Sequence, residues 1–220
     1  MKSLSFLFLF LLLSVGATAQ RIAVLGALDQ EIAILLDSLK EKKEVQFGGL
    51  TFYTGKLKGQ EVVIGKSGVG KVNAAIVAAT LIERYKPKRV FNFGTAGGIT
   101  ATHGGIYKCT TFNQRDVILG GVIVGPQAEI LHKPIIIGDD GWSLSTGDNF
   151  VTDTYNINAD LVDMEAFAIA KACVSAGVEF ICHKYISDMA NDEAPDHFVD
   201  HVHKGEDHYI AILKECGVQL

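Results

Sequence analysis

Several residue types and patterns are scarce in this chain, and each scarcity argues against a class of function. The 220 residues include one Trp, four Pro and four Cys. No two cysteines have the C-x-x-C spacing, so a zinc or dithiol redox motif is not expected. The formal net charge is −5 and no block of Lys and Arg occurs. A nucleic-acid partner is therefore disfavoured, because phosphate neutralisation needs clustered cations.

The cysteines and histidines that are present fit structural roles. Cys173 lies in an apolar helical pattern and Cys182 in a strand pattern, so buried free thiols are expected, with disulfides as the alternative if the chain is exported. His197 and His201 are four residues apart and can share a helix face. Without an H-E-x-x-H pattern, a solvated polar face is expected ahead of a metal site. The sequence thus predicts no metal and no cofactor.

The N-terminus has the pattern of a signal peptide. A lysine precedes an apolar run over residues 4–13, and the small residues A-T-A then stand directly before Gln20. The run is shorter than the roughly 20 residues that a membrane span needs, although an uncleaved anchor is the alternative. We expect residues 1–19 to be removed and residues 20–220 to form one exported, soluble domain, periplasmic or secreted, with no stable membrane span.

Strand and helix patterns alternate along the remaining chain, with short links between them. This alternation predicts an α/β fold: a single domain with a central mixed, mostly parallel sheet flanked by helices. Binding sites in such sheets form at the carboxyl ends of the strands. Helices are predicted at 29–40, 71–86, 160–177 and 196–216, a hairpin at 50–65, and buried strands at 21–26, 89–93 and 179–188.

One stretch has most of a phosphate-binding P-loop. Gly65 to Lys71 fits G-x-x-x-x-G-K. The next residue should be Ser or Thr to bind Mg²⁺, but it is Val72. No apolar strand supplies a convincing companion acid for the metal. A tight glycine turn that leads into a helix is therefore the preferred interpretation.

Six stretches between Arg21 and about Phe198 form a recognisable set. In chain order they are VLGALDQEIAIL, GGLTFYTGKLKGQEVVIGKSGVGKVNAA, FNFGTAGGI, STGDNFV, VDMEAFAIA and ISDMAND. Taken together and in this order, they resemble the nucleoside phosphorylase/nucleosidase superfamily, and most of all its 5'-methylthioadenosine/S-adenosylhomocysteine nucleosidases.

The resemblance implies hydrolysis of the N-glycosidic bond of a 5'-substituted adenosine, with release of adenine. It implies that Asp188 protonates the leaving purine beside Ser187, and that Glu31 activates the water. It also implies that Glu165 binds the ribose hydroxyls. The other substrate-binding positions that it implies are Val69, Thr95, Ala96, Gly97, Phe150, Val151, Asp163, Met164, Lys184 and Phe198.

Structural roles are open for several of these residues. Ser187 and Asp188 could cap a helix, and Glu31 could be an ordinary acid in a helix first turn. Phe150 and Met164 could be core side chains. Only their occurrence together in the motifs of one family favours catalysis.

The enzyme class has two alternatives. Phosphorylases of the superfamily hold phosphate with arginines, but Asn92 stands at one of those places, and the first loop carries acids. Hydrolysis is therefore favoured over a phosphorylase with altered phosphate ligands. An exported nucleoside-binding protein with weak turnover is the third possibility, which the presence of Glu31, Glu165 and Asp188 argues against.

The chain also departs from the family pattern. Lys184 replaces a usual Arg, and the segment 112–147 is shorter than in the familiar bacterial enzymes. Gln114, Arg115 and Asp116 are only weak candidates there, so the 5' group is left open. The family implies a homodimer. Export is unexpected for methionine salvage and indicates scavenging of nucleosides outside the cytoplasm.

Overall fold

The structure is a computed structural model that describes residues 21–220. The predicted signal peptide lies outside the described residues. Within residues 21–220, no helix has the length and apolar character needed to cross a bilayer.

The described chain alternates strands with short helices. The strands are β1 (Ile22–Gly26), β2 (Lys40–Phe47), β3 (Leu50–Leu57), β4 (Gln60–Lys66), β5 (Arg89–Gly98), β6 (Ile106–Gln114), β7 (Ile135–Ile136), β8 (Trp142–Thr146), β9 (Leu161–Asp163) and β10 (Glu179–Asp188). The α-helices are α1 (Ala33–Ser38), α2 (Lys71–Tyr85), α3 (Pro126–His132), α4 (Ala166–Ala176), α5 (Ala194–His201) and α6 (Tyr209–Glu215). Short 3₁₀ helices occupy Asp29–Glu31 and Glu206–His208.

All strands belong to one sheet with the order β10-β6-β8-β9-β5-β1-β4-β3-β2, and β7 pairs with β6. An additional pairing between β10 and β5 closes five of these strands on themselves. The predicted mixed α/β sheet is confirmed. Among the described residues, parallel and antiparallel pairings number five each. The parallel ones include those at the centre, where β1, β4, β5 and β10 meet.

The two faces of the sheet are covered by different helices. All five residues of β1 are buried, as its continuous apolar run predicts for a central parallel strand. On one face, α2 and α4 pack through small and branched side chains such as Ala78, Leu81 and Ile169. On the other face, α1 and α6 pack around Phe91 and Phe93. This packing fixes the strand ends that carry the site.

The helix predicted at 160–177 begins later than expected. Residues Leu161–Asp163 form β9, because Leu161 and Val162 pair with β5 on one side and β8 on the other. The helical part starts at Ala166 and ends before Gly177, whose φ of 67° is the left-handed stop that a glycine permits.

The predicted helix at 196–216 is two helices, α5 and α6, separated near Gly205. A Cβ at Gly205 would lie 2.6 Å from the Cβ of Tyr185, so the chain passes too close to β10 for a side chain at this position. The predicted helix at 29–40 is also shorter than expected, since Lys40 already belongs to β2. The charged β2 has no apolar alternation and was not predicted.

Candidate active site

A cavity of about 250 Å³ opens at the carboxyl ends of the central strands. It lies where β1, β5, β9 and β10 end, the place expected for a site in such a sheet. The lining residues are Ala27, Leu28, Glu31, Val69, Thr95, Ala96, Gly97, Arg115, Asn149, Phe150, Val151, Val162, Asp163, Met164, Glu165, Ser187, Asp188 and Phe198.

The Glu31 carboxylate is held in a complete set of hydrogen bonds. Its Oε2 accepts from the backbone N–H groups of Ala27 at 2.7 Å and Leu28 at 3.1 Å. Its Oε1 accepts from the backbone N–H and the hydroxyl of Thr95, at 2.8 and 2.9 Å. A carboxylate has about four lone-pair sites, so these four donors fix it rigidly between β1 and β5.

The Asp188 carboxyl lies at the end of β10 and is 3% exposed. The Ser187 hydroxyl donates to its Oδ2 at 2.9 Å, and the backbone N–H of Ala190 donates to its Oδ1 at 2.9 Å. Both contacts are local in sequence and fix the carboxyl against the cavity wall. Asp188 therefore presents a positioned acid to whatever the cavity holds.

Two glycines of β5 leave the space that these acids occupy. A Cβ at Gly94 would lie 2.9 Å from Oε1 of Glu31, and φ there is 151°. A Cβ at Gly97 would lie 2.9 Å from Oδ1 of Asp188. Such distances are too short for real Cβ contacts, so the glycine turn is a steric requirement of the two carboxyl groups.

A third acid, Glu165, stands at the start of α4 and accepts from the backbone N–H of Gly70 at 2.9 Å. Beside it, Asp163 accepts from Thr146 Oγ1 at 2.6 Å and from the N–H of Ala166 at 2.8 Å. Lys184 forms an ion pair with Asp163 at 3.0 Å and is 2% exposed.

The electrostatics of this group favour a neutral Glu165. Burial, and then the negative charge of Asp163, raise the pKa of Glu165 to about 8. Burial alone would lower the pKa of Lys184, but the carboxylates, chiefly Asp163, hold it above its ordinary value. Lys184 thus neutralises the negative charge of Asp163, and little of its positive charge remains to stabilise an ionised Glu165.

Arg115 connects the segments that form one wall of the cavity. Its guanidinium donates to the carbonyl oxygens of Ser145 and Asp163 at 2.5 and 2.9 Å, and to those of Gly147 and Asn149 at 3.3 and 2.7 Å. The next residues along the chain are Phe150 and Val151. Arg115 thereby holds the wall that presents the exposed aromatic side chain.

Two aromatic rings stand at the mouth of the cavity. Phe150 and Phe198 meet edge to face with their ring centroids 5.7 Å apart. The α5 helix that carries Phe198 is held by its histidines: the ring centroids of His103 and His201 are 4.6 Å apart. The His197–His201 face is therefore half-buried rather than solvated as predicted. Among the described residues, no cluster of His, Cys, Asp and Glu is arranged to hold a metal ion.

The P-loop-like stretch binds protein groups in the structure. Lys71 forms an ion pair with Asp116, and its backbone N–H donates to Asp148 Oδ1 at 2.6 Å. The N–H of Gly70 is directed at Glu165. The turn therefore connects α2 to the acidic side of the cavity.

The structure brings thirteen of the fourteen predicted site residues to the cavity lining. The exception is Lys184, which lies beneath the surface and reaches the site only through Asp163. Asn92 is buried and its amide donates to the carbonyls of Leu25 and Phe93. The roles in binding and catalysis stay predictions.

Five lining residues were not among the predicted set: Ala27, Leu28, Arg115, Asn149 and Val162. Ala27 and Leu28 follow β1 directly, so their position after a central strand was a usable signal. Arg115 was named only as a weak candidate, because its partners lie 30 to 48 residues away in sequence.

Comparison with known proteins shows which family the chain matches. The family model described as "Phosphorylase superfamily" matches residues 21–105 and 130–216. A 5'-methylthioadenosine/S-adenosylhomocysteine nucleosidase of Bacillus thuringiensis (strain Al Hakam) is 32% identical over 212 residues, covering 82% of this chain and 92% of the relative.

Solved structures agree with the sequence comparison. A 5'-methylthioadenosine/S-adenosylhomocysteine nucleosidase of Colwellia psychrerythraea 34H in complex with adenine has a TM-score of 0.78 and 28% identity, covering 86% of this chain and 91% of that one. The corresponding nucleosidase of Neisseria meningitidis, in complex with methylthio-immucillin-A, has a TM-score of 0.77 and 26% identity, covering 91% and 100%.

Proposed function

Because the chain belongs to the phosphorylase superfamily, we propose that its cavity hydrolyses the N-glycosidic bond of 5'-substituted adenosines, with release of adenine. The observation that carries the proposal is the convergence of Glu31, Glu165 and Asp188 on one cavity. These acids come from three separate parts of the chain. The substrates are 5'-methylthioadenosine, S-adenosylhomocysteine or a related purine nucleoside, as for the nucleosidases that the chain is similar to.

In the proposed reaction, Asp188 donates a proton to the purine as the glycosidic bond breaks, so that adenine leaves neutral. The sugar becomes cationic. Its positive charge favours ionisation of Glu165, and the resulting carboxylate stabilises the cationic sugar. The edge-to-face pair Phe150 and Phe198 contacts the base. Water adds to the sugar carbon, and its proton passes to Glu31, so the products are adenine and a 5-substituted ribose.

Glu31 can accept that proton only if one of its four hydrogen bonds yields. Three of the donors are backbone N–H groups fixed by the loop after β1 and by β5. The fourth is the Thr95 hydroxyl, whose hydrogen can rotate to another acceptor. The Thr95 side chain is therefore the contact that an attacking water replaces.

The charges of the cavity favour water over phosphate as the nucleophile. Four acids line it, Glu31, Asp163, Glu165 and Asp188, against a single arginine. That arginine directs four of its N–H groups at backbone carbonyls, so it has little left to offer a phosphate. A phosphate dianion would be repelled by the Glu31 carboxylate and would find no other cation among the lining residues.

The test is adenine release from 5'-methylthioadenosine, S-adenosylhomocysteine and adenosine, with and without phosphate. We expect adenine and free 5-substituted ribose at a rate that phosphate does not change. Asp188→Asn should lower the rate about 10²–10⁴-fold, and the exposed Asp192→Asn serves as its control. A sugar 1-phosphate product would indicate a phosphorylase, and nucleoside binding without cleavage would indicate a binding protein.

Two further features belong to this proposal. Residues 1–19 have the composition of a signal peptide, which supports export and scavenging of nucleosides outside the cytoplasm. The intact mass of the protein exported by its own host should equal that of a chain beginning at Gln20. The exposed apolar side chains Val69, Val72 and Ile76 support a homodimer through the N-terminal part of α2.

A further inference from the structure

Two cysteines face each other across neighbouring strands near the site. Cys109 on β6 is the direct register partner of Cys182 on β10 in an antiparallel pair. Both side chains are buried, at 3% and 1% exposure, and both belong to the same core cluster. In the structure both are free thiols.

The register places the two thiols in disulfide range. Directly opposed residues of antiparallel strands have Cα atoms about 4.5–5.5 Å apart, with side chains on the same face. A disulfide accepts Cα separations of about 4.4–6.8 Å. A hydrogen bond with Cys182, and then burial, raise the pKa of the Cys109 thiol, as expected for two neighbouring buried thiols.

The other two cysteines have no such partner position. Cys173 lies on α4 and Cys216 directly follows α6, and these helices pack on opposite faces of the sheet. Among the described residues, Cys109 and Cys182 are the only cysteines that are register partners in a strand pairing.

We propose that Cys109 and Cys182 are an oxidation site, closed as a cross-strand disulfide when the chain folds in an oxidising compartment. The oxidant is an external disulfide. One cysteine thiolate attacks it and releases one external thiol, and the second cysteine then attacks the mixed disulfide and releases the other. Two protein thiols are oxidised, one external disulfide is reduced to two thiols, and the protein protons pass to those thiols.

Closure takes place during folding, before β6 and β10 are covered. In the finished fold both thiols are buried, and the raised pKa of Cys109 leaves little thiolate to react. Export, proposed above, would bring the chain to a compartment where disulfides persist. The pairing itself rests on the strand register and not on the nucleosidase activity.

The bond would fasten the strand that carries the acid. Cys182 precedes Ser187 and Asp188 on β10, and β6 ends at Gln114, directly before Arg115. The disulfide would thus join the strand of Asp188 to the strand that leads into the arginine. It would also close a loop of residues 109–182, which lowers the entropy of the unfolded chain.

The test is to refold the full chain with a mixture of reduced and oxidised glutathione, and in parallel with dithiothreitol. Remaining thiols are alkylated under denaturing conditions, and the digest is mapped by mass spectrometry without reduction. We expect a Cys109–Cys182 linked peptide in the oxidising arm only, with Cys173 and Cys216 alkylated. The loop length predicts a melting temperature roughly 10 °C above that of the reduced protein.

Matched variants separate the pair from the other thiols. Cys109→Ala should remove the link and the dithiothreitol-dependent shift in melting temperature, whereas Cys173→Ala and Cys216→Ala should keep both. The wild-type peptide map decides even if Cys109→Ala does not fold. Four alkylated thiols in the oxidising arm, or a link through Cys173 or Cys216, would overturn the proposal.

Discussion

Single atoms decide whether the carboxyl groups proposed as catalytic fit beside β5, and Gly97 shows this most clearly. A Cβ there would lie 2.9 Å from Asp188 Oδ1, so Gly97→Ala must push the carboxyl away from its position. Misplacement by about 1 Å can cost about 10²-fold in rate. We expect a loss of that order in kcat for adenine release, with KM less affected.

The control for Gly97→Ala is Gly98→Ala at the next position of β5. Its Cβ would meet the carbonyl of Ala101 and the side chain of Ile186, both at 2.9 Å, but no acid of the cavity. Both variants should lower the melting temperature, while only Gly97→Ala should lose most activity. Equal losses of kcat would show that overpacking, and not the displaced carboxyl, is responsible.

The raised pKa of Glu165 leads to a second prediction at the scale of single residues. With a pKa of about 8 in the folded protein against 4.5 as the ordinary value, the folded state binds the proton more tightly than the unfolded chain. The contribution of Glu165 to stability is therefore complete below about pH 4.5 and is lost as pH rises through about 8. Wild-type unfolding free energy should fall over this range.

Urea denaturation at several pH values between 5 and 8 measures this loss. Glu165→Gln removes the titrating group, so its unfolding free energy should fall less steeply with pH than that of the wild type. Glu83→Gln, an exposed carboxylate on α2 that pairs with Lys86, should leave the wild-type slope unchanged. Parallel slopes for wild type and Glu165→Gln would rule out Glu165 as the group responsible.

At the scale of elements, Arg115 holds the ends of β8 and β9 and the segment after β8 in one arrangement. Lys presents a single ammonium group instead of a planar fork, so Arg115→Lys would leave several of the four carbonyls without their donor. The wall that ends at Phe150 and Val151 should loosen. We expect KM for the nucleoside to rise roughly tenfold, which corresponds to about 1.4 kcal/mol.

Steady-state kinetics and adenine titration calorimetry measure this effect, with Arg84→Lys as the control. Arg84 stacks on the ring of Phe47, away from the cavity, and its replacement should leave KM at the wild-type value. An unchanged KM in Arg115→Lys would mean that the wall keeps its shape without the guanidinium fork.

The elements also show what the sequence could and could not predict. Motif residues such as Glu31 and Asp188 were predictable because each lies at or shortly after the end of a recognisable strand, within a motif of the family that the sequence resembles. The strand β9 was not, since Leu161 and Val162 are extended only through pairing with β5 and β8. The contacts of Arg115 also depend on segments that are distant in sequence, so a local sequence pattern does not predict them.

At the scale of the whole molecule, exposed apolar side chains extend from the cavity lining along one face of α2. Val69 lines the cavity yet is 45% exposed. On α2, the exposed Val72 and Ile76 are four residues apart and so share one helix face. The ion pair between Lys71 and Asp116 holds the start of a second exposed apolar segment, which contains Val122. Such a surface suits a second copy of the chain.

A homodimer through this surface predicts that Ile76→Glu converts the protein to a monomer in sedimentation velocity, because a charge would be buried at the contact. Ile76 is 51% exposed, so the isolated fold should tolerate the change. Phe47→Glu, at 48% exposure on the β2 hairpin, should stay dimeric. Since Val69 lies in both the cavity and the contact, the Ile76→Glu monomer should also bind nucleoside more weakly. A wild-type chain that sediments as a monomer at micromolar concentration would refute the homodimer.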